Sequence, residues 1–591
     1  MENIQPITVL LNRLWHHVCL RRRRQFGLLL VLMILASFAE IVSIGAILPF
    51  LSVLTSPERV LEHAAVKPLT QAMGLTTADQ LLLPLTVIFG LASLMAGAMR
   101  LLLLWASTRL SFATGADLSI SIYRRTLYQP YAIHVARNSS EVINVISNKT
   151  YEVINIILML LNLGSSTVML IAIMIALLFV DPVIALVAFG GFGLIYACII
   201  RFTRNKLLSN SRLIARESTQ VIKSLQEGLG GIRDVLIDGS QAAYCQIYRD
   251  ADFLSRRAQG SSAFISVSPR YAMEALGMLL IAGLAYSLAQ QTDGIAKAIP
   301  VLGALALGAQ RLLPVLQQAY VAWSIIQSGQ ASLQDSLDLL DQPLPDYADQ
   351  TAAKAMAFRQ QISLNQLSFH YSPQTHWVLK NLDLTIPKGS RVGFIGATGS
   401  GKSTLLDIVM GLLQPTEGTL KIDGQTIMTG NQRAWQAHIA HVPQTIFLAD
   451  SSIEENIAFG MSKDQIDRER IRHAARQAQI ADIIETWPKQ YQTFVGERGI
   501  RLSGGQRQRI GIARALYKQA DVIIFDEATS ALDNETEQAV MQSIEGLNKD
   551  LTILIIAHRL TTLKNCTQVV ELGDGGIKRT GTYQDIVSQA A

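Results

Sequence analysis

Cysteine is scarce in this chain, and the four present, Cys19, Cys198, Cys245 and Cys566, stand far apart with no CxxC pair among them. That spacing argues against a disulfide framework and a thiolate metal centre, so the four read as free thiols. Charge is scarce too, at 16% of residues against 49% hydrophobic, a balance too oily for an ordinary soluble protein. No internal repeat is present, so the two dissimilar halves of the chain are not copies of one another. The net charge of +5 is the one hint of a polyanionic partner, but much of it sits in Arg21, Arg22, Arg23 and Arg24 and between apolar runs. Membrane topology accounts for that placement, and no nucleic-acid partner is expected.

What the chain has in quantity is long apolar runs, all before residue 330. Six of them, at 26–53, 81–107, 155–180, 183–202, 271–290 and 299–326, are long enough to cross a hydrocarbon core of about 30 Å as helices. The first follows a basic stretch but is too long for a signal-peptide core and lacks a small-residue cleavage site, so it reads as a retained span. Arg109, Arg124, Arg125, Arg137 and Lys149 follow the second run, and Arg204, Lys206, Arg212, Arg216, Lys223, Arg233 and Arg249 follow the fourth. By the positive-inside rule these loops, both termini and the second half are expected on the cytoplasmic side. Leu225, Leu229, Ile232, Val235 and Leu236 keep helical spacing within the second of these loops, which predicts helices running on past the bilayer. On the outer side, Val60, Leu61, Ala64, Ala65, Leu69 and Met73 outline either a small amphipathic surface helix or a solvated loop. The expected plan is a multi-domain membrane protein: a six-helix all-α transmembrane domain over 1–330, a linker over 331–358 that is charged and amide-rich and carries Pro343 and Pro345, and a soluble α/β domain over 359–591.

The soluble half carries its chemistry in two contiguous motifs. Gly396, Ala397, Thr398, Gly399, Ser400, Gly401, Lys402, Ser403 and Thr404 follow the apolar run 391–395 and precede the helical pattern 405–410. This strand, glycine loop and helix order is that of a phosphate-binding loop. Backbone N–H groups converge on phosphates at the helix start, Lys402 neutralises the outer phosphates, and the Ser403 hydroxyl can ligate magnesium. Downstream, Val522, Ile523, Ile524 and Phe525 lead into Asp526 and Glu527, the pattern of a buried strand delivering two carboxylates to the end of a sheet. Asp526 is expected to hold the magnesium shell and Glu527 to orient or deprotonate the attacking water. ATP and Mg2+ are the cofactors this pair of motifs calls for.

Leu502, Ser503, Gly504, Gly505 and Gln506, just upstream of the carboxylate strand, resemble the signature of ATP-binding-cassette proteins. The resemblance extends over nearly the whole chain, which looks like a half-transporter of the type IV exporter class. It implies adenine stacking on Tyr371, magnesium and water sensing by Gln444, a site contact from Asp533, and γ-phosphate contact and transition-state support from His558. It also implies that Ser503, Gly504, Gly505 and Gln506 act on the ATP held by a partner subunit, so that a second copy, or a close paralogue, is required. The run from Thr493 through Glu497 to Gly499 is similar to the extra loop that exporters carry before the signature.

Ionisable residues inside spans are costly and point to function, which singles out Glu40, Arg100, Glu274 and Arg311, with Arg270 at the end of the fifth span. Arg100, Arg270 and Arg311 suit an anionic headgroup, since a guanidinium fork binds phosphate well; pairing with Glu40 and Glu274 is the equal alternative. The first span, with Glu40, Gly45 and Pro49, resembles those of bacterial lipid-linked oligosaccharide flippases. That resemblance implies an amphipathic, lipid-linked glycan carried from the cytoplasmic to the outer leaflet of a bacterial inner membrane. Export of peptides or hydrophobic drugs stays open, as does an ATP-gated channel or regulatory membrane protein on the same scaffold.

Overall fold

An apolar segment shielded from water must satisfy its backbone internally, and a helix does so within one run of chain. The computed structural model describes residues 5–46, 82–180, 182–289, 312–349, 355–527, 533–545, 550–557 and 560–588. Through residue 340 the regular structure it describes is helical. In order come α1 (Ile7–His17), α2 (Leu20–Gly45), α3 (Leu82–Leu127), the short α4 (Tyr131–Ala136) and α5 (Ser139–Asn144), then α6 (Thr150–Val180) and α7 (Pro182–Gly230). The short α8 (Ile232–Ile237), α9 (Gln241–Val267), α10 (Pro269–Ala289), a helical stretch at 312–328 and α11 (Gln330–Leu340) complete the series. Among the described residues, the helical segments Leu20–Ser43, Leu82–Leu127 and Ser139–Ile175 are long and apolar enough to cross a membrane. The expected fourth and fifth spans begin on α7 and α10, and only the second half of the sixth is described. The expected outer helix within 55–80 lies outside the described residues.

α3 has 46 residues and α7 has 49. At about 1.5 Å per residue, each is more than twice as long as a hydrocarbon core of about 30 Å is thick. The α3 extension packs with its neighbours: Leu10 and Leu14 of α1, Leu118 and Ile122 of α3, Val153 and Ile156 of α6, and Leu333 and Leu337 of α11 form one buried cluster.

This packing corrects the reading of 331–340 as linker. Leu333, Leu337 and Leu340 recur along one face of α11 and are buried, while the charges that suggested a tether are paired along its other faces. Asp335 accepts from Lys149 Nζ at 2.5 Å, Asp338 from Arg13 Nη2 at 2.7 Å, and Asp341 bonds His17 Nε2 at 2.6 Å.

The chain divides into two compact units, residues 1–129 with 137–344, and residues 130–136 with 345–591. The short helix α4 therefore groups with the soluble half, whereas α8 remains in the first unit with Ile232, Leu236 and Ile237 exposed.

The second unit holds two sheets. β1 (Gln361–Phe369), β2 (Leu379–Pro387), β4 (Glu417–Ile422) and β5 (Gln425–Thr426) form an antiparallel sheet in the order β2-β1-β4-β5. β3 (Arg391–Ile395), β6 (Ile439–Val442), β7 (Val522–Asp526), β8 (Thr552–Ile556), β9 (Gln568–Gly573) and β10 (Gly576–Gly581) form a sheet in the order β10-β9-β3-β8-β7-β6. Its strands are parallel apart from the β10 edge. Val522 to Phe525 are buried, as a central parallel strand covered on both faces requires. Ile362, Ile386, Phe394, Leu405 and Trp435 fill one core cluster of this unit, and Ile453, Ile471, Ile510 and Ile553 belong to the other. The order brings the carboxyl ends of β3, β8 and β7 together, the place where open α/β sheets bind ligands.

Candidate nucleotide site

β3 leads into α12 (Lys402–Val409) through a loop with two backbone positions closed to any side chain. Gly396 has φ 143°, and a Cβ there would lie 2.2 Å from the Leu572 carbonyl oxygen. Gly401 has φ 92°, and a Cβ there would lie 2.7 Å from Leu379 Cδ2 and 3.0 Å from the Val378 oxygen. Glycine is the residue that fits both positions.

Gly401 caps α12 without a side-chain acceptor, so the first-turn N–H groups of Lys402, Ser403 and Thr404 remain available to an anion. Lys402 Nζ donates to the carbonyls of Gly396 at 2.8 Å and Ala397 at 3.0 Å, which holds the ammonium over the loop. Ser400 Oγ is buried without a hydrogen-bond partner, an orphan that a phosphate oxygen can satisfy. The loop thus fits a nucleotide polyphosphate.

Across the sheet, Asp526 ends β7 and is hydrogen-bonded to the Ser403 side chain. Burial and then the Glu527 charge hold the Asp526 carboxyl above its usual range, against the opposing pull of Lys402 and Ser403. A carboxylate pair with this surplus of negative charge, next to a hydroxyl, suits a divalent cation. Gln444 Nε2 donates to Glu527 Oε2 at 2.6 Å. Glu527 itself sits at φ 52°, a left-handed conformation costing a non-glycine residue on the order of 1 kcal/mol, and its N–H bonds the Ile556 oxygen at 3.1 Å.

Tyr371 packs edge-on to Phe369 with centroids 5.0 Å apart and shares a hydrogen bond of 3.1 Å with Thr404 Oγ1, leaving half of its surface exposed. Ser503 caps α13 (Gly504–Lys518): its Oγ accepts from Gln506 N at 3.2 Å, and Gln506 Oε1 accepts from Ser503 N at 2.9 Å. Among the described residues, the hydrogen bonds of Ser503 and Gln506 thus close on their own helix and do not reach the phosphate loop. Asp533 accepts from Thr536 N at 2.9 Å and from Thr536 Oγ1 at 2.8 Å, which lowers its carboxyl below the usual range. His558 lies outside the described residues.

Residues 379–530 match the family model described as ABC transporter, and residues 26–293 match the ABC transporter transmembrane region. The ATP-dependent lipid A-core flippase of Chromohalobacter salexigens is 32% identical over 393 residues, covering 66% of this chain and 67% of the relative. That of Ralstonia nicotianae is 27% identical over 487 residues, 80% of each chain. The chain belongs to the ABC transporter family.

A solved bacterial Atm1-family ABC exporter with ATP bound superposes with a TM-score of 0.75 at 26% identity, covering 93% of this transporter and 96% of that chain. This transporter is accordingly an ATP-hydrolysing exporter that crosses the membrane several times and uses ATP with Mg2+.

One acid of the site was not singled out in the sequence. Asp407 lies one helical turn beyond Ser403, and burial, reinforced by the charge of Asp526, pushes its carboxyl up to about 6. Burial, and then the charges of Asp407 and Tyr371, push the Tyr131 hydroxyl on α4 above its usual pKa. The only signal in the sequence was a carboxylate inside the apolar run after the loop.

In its membrane unit the transporter has a cavity of about 1080 Å3 whose lining includes Arg270, Glu274, Asn162, Tyr196 and Gln317. A second pocket of about 400 Å3 shares Leu104, Asn162, Ser165, Ser166, Pro314 and Gln318 with it and adds Arg100. Both arginines carry carboxylate partners: Arg270 Nε donates to Glu274 Oε1 at 2.8 Å, and Arg100 pairs with the buried Glu40. Arg311 lies outside the described residues.

Proposed function

We propose that the chain is one half of a homodimeric flippase that moves a lipid with an anionic, sugar-bearing headgroup, such as a lipid-linked oligosaccharide, from the cytoplasmic to the outer leaflet of a bacterial inner membrane. Both termini and the nucleotide unit lie in the cytoplasm. The observation that carries the cargo reading is the pair of adjoining cavities flanked by Arg100 and Arg270, because a guanidinium that pairs with one carboxylate keeps further N–H donors for a phosphate-bearing headgroup. Relatives named as lipid A-core flippases support an amphipathic lipid as the class.

In the nucleotide site, the loop amides and Lys402 hold the phosphates, and Tyr371 stacks on the adenine. Ser403, Gln444 and Asp526 hold the magnesium ion, which supplies charge neutralisation. Glu527 polarises the attacking water, and its bond to Gln444 supports that role by fixing the carboxylate. The role assigned to His558 is γ-phosphate contact, and that of Asp533 a further site contact. Ser503, Gly504, Gly505 and Gln506 complete the shell from a second copy, which makes hydrolysis depend on closure of the pair. The exposed apolar residues of α8 support a role for this segment in docking on the cassettes and transmitting their closure.

The test is reconstitution in liposomes, with ATP hydrolysis and leaflet exchange of a labelled polyprenyl-pyrophosphate glycan measured together. Wild type is expected to do both. Glu527→Gln should lower hydrolysis by about a hundredfold or more while retaining ATP, and Arg100→Ala with Arg270→Ala should abolish flipping. Rapid hydrolysis in Glu527→Gln would overturn the base assignment, and hydrolysis by wild type without any flipping would overturn the cargo.

A further inference from the structure

Arg100 and Arg270 have carboxylate partners, yet the same cavities carry a second set of polar groups with none. Asn162, Ser165 and Ser166 share one face of α6 by their i, i+3, i+4 spacing. Gln317 and Gln318 stand on the helical stretch 312–328. All five line the adjoining cavities, and no hydrogen bond engages the amides of Asn162, Gln317 and Gln318 among the described residues. Tyr196 is 6% exposed, lines the larger cavity, and has a buried hydroxyl without a partner. Other polar groups on the same wall are satisfied internally: Tyr320 Oη donates to the Ile265 oxygen at 3.1 Å, and Ser266 Oγ bonds Ser324 Oγ at 2.7 Å. The open set therefore differs from its neighbours on that wall.

Asn162 and Gln317 are half-buried and Gln318 is exposed, so their amides are open to water, whereas the buried Tyr196 hydroxyl carries a penalty until something bonds it. Each amide presents donors and an acceptor together. Sugar hydroxyls also do both, an acyl chain does neither, and a fully ionised phosphate only accepts. A polyol can replace cavity waters and return the same pattern of bonds.

We propose that Asn162, Gln317, Gln318 and Tyr196 form a hydroxyl-reading wall that binds the uncharged sugar of the headgroup, beside the arginines that hold its anion. This rests on the lipid-headgroup reading above and adds to it a site that selects for the glycan.

The full-length transporter in liposomes is assayed for ATPase stimulation by two lipids, a polyprenyl-pyrophosphate oligosaccharide and the same lipid without sugar. For Gln317→Leu with Gln318→Leu, and for Asn162→Leu, the glycan lipid should need about a tenfold higher concentration for half-maximal stimulation. The sugar-free lipid should act as on wild type, which also reports that the variant is folded. Tyr196→Phe, which removes one oxygen and keeps the packing, should give a smaller shift of the same selectivity, about threefold. Equal shifts for both lipids, or no shift for either, would overturn the wall and leave the flippase standing. Stimulation of wild type by neither lipid would overturn the flippase reading and the wall together.

Discussion

Asp407 places a third acid close to a site that already carries Asp526 and Glu527, and its effect on stability has a definite sign. Its carboxyl is raised from 3.8 to about 6, so the folded chain holds that proton more tightly than the unfolded one. Below about pH 4 both states are protonated and nothing is lost; the cost grows as pH rises and is complete above about pH 6. Asp407→Asn should therefore stabilise the folded transporter at neutral pH by about 1 kcal/mol, after discounting for its partial exposure, and the gain should shrink toward pH 4. Thermal denaturation of both proteins across that range is the measurement, and a gain independent of pH would contradict the assignment. At Gly396 the constraint is steric: a methyl group would meet the Leu572 carbonyl at 2.2 Å. Gly396→Ala is expected to displace the loop and weaken ATP binding by at least about tenfold, read by equilibrium binding of a fluorescent nucleotide.

Helix α11 shows how an element can be misread when only its outward face is considered. Its amides and aspartates resemble a tether in sequence, yet Leu333 and Leu337 are fully buried in the cluster shared with α1, α3 and α6. Leu337→Ala should destabilise the transporter by about 2–5 kcal/mol, the cost of an unfilled core site, measured as a lowered midpoint in thermal denaturation. The exposed pair of Arg13 with Asp338 should matter far less, about 0.2–1 kcal/mol on Arg13→Ala, although this residue also bonds Asp341 and Gln5. Short helices divide by environment as well. α4 groups with the nucleotide unit and α8 with the membrane unit although both expose apolar residues, Ile133 and Val135 on one and Leu236 and Ile237 on the other, so sequence pattern could not distinguish the two cases.

For the whole molecule, the proposed head-to-tail pairing of nucleotide units makes a prediction that no single chain can satisfy. Lys402→Ala removes the phosphate ammonium and Ser503→Arg blocks the signature, so each homodimer should be inactive. A mixed dimer retains one site with both parts intact and should recover ATP hydrolysis, measured on co-expressed, doubly tagged protein; no recovery would contradict pairing in trans. Much of this architecture was legible from local sequence. Membrane-spanning length and the phosphate loop from Gly396 to Thr404 are properties of contiguous residues, because helix formation in lipid and anion binding at a helix start are each decided within one segment. The strand ending in Asp526 and Glu527 was legible for the same reason. What the sequence alone could not settle depends on packing between distant segments. Glu40 pairs with Arg100 from another helix, Asp335 with Lys149, and Gln444 with Glu527; each of these turns on which faces meet. The raised carboxyl of Asp407 and the unpartnered hydroxyl of Tyr196 depend on burial, which is a property of the folded surroundings and not of the residue. Sequence by itself thus determined the motor and the membrane-spanning pattern, and the tertiary structure decided the charge balance of the site and the polar lining of the cavity, since desolvation and pairing exist only once the chain has folded.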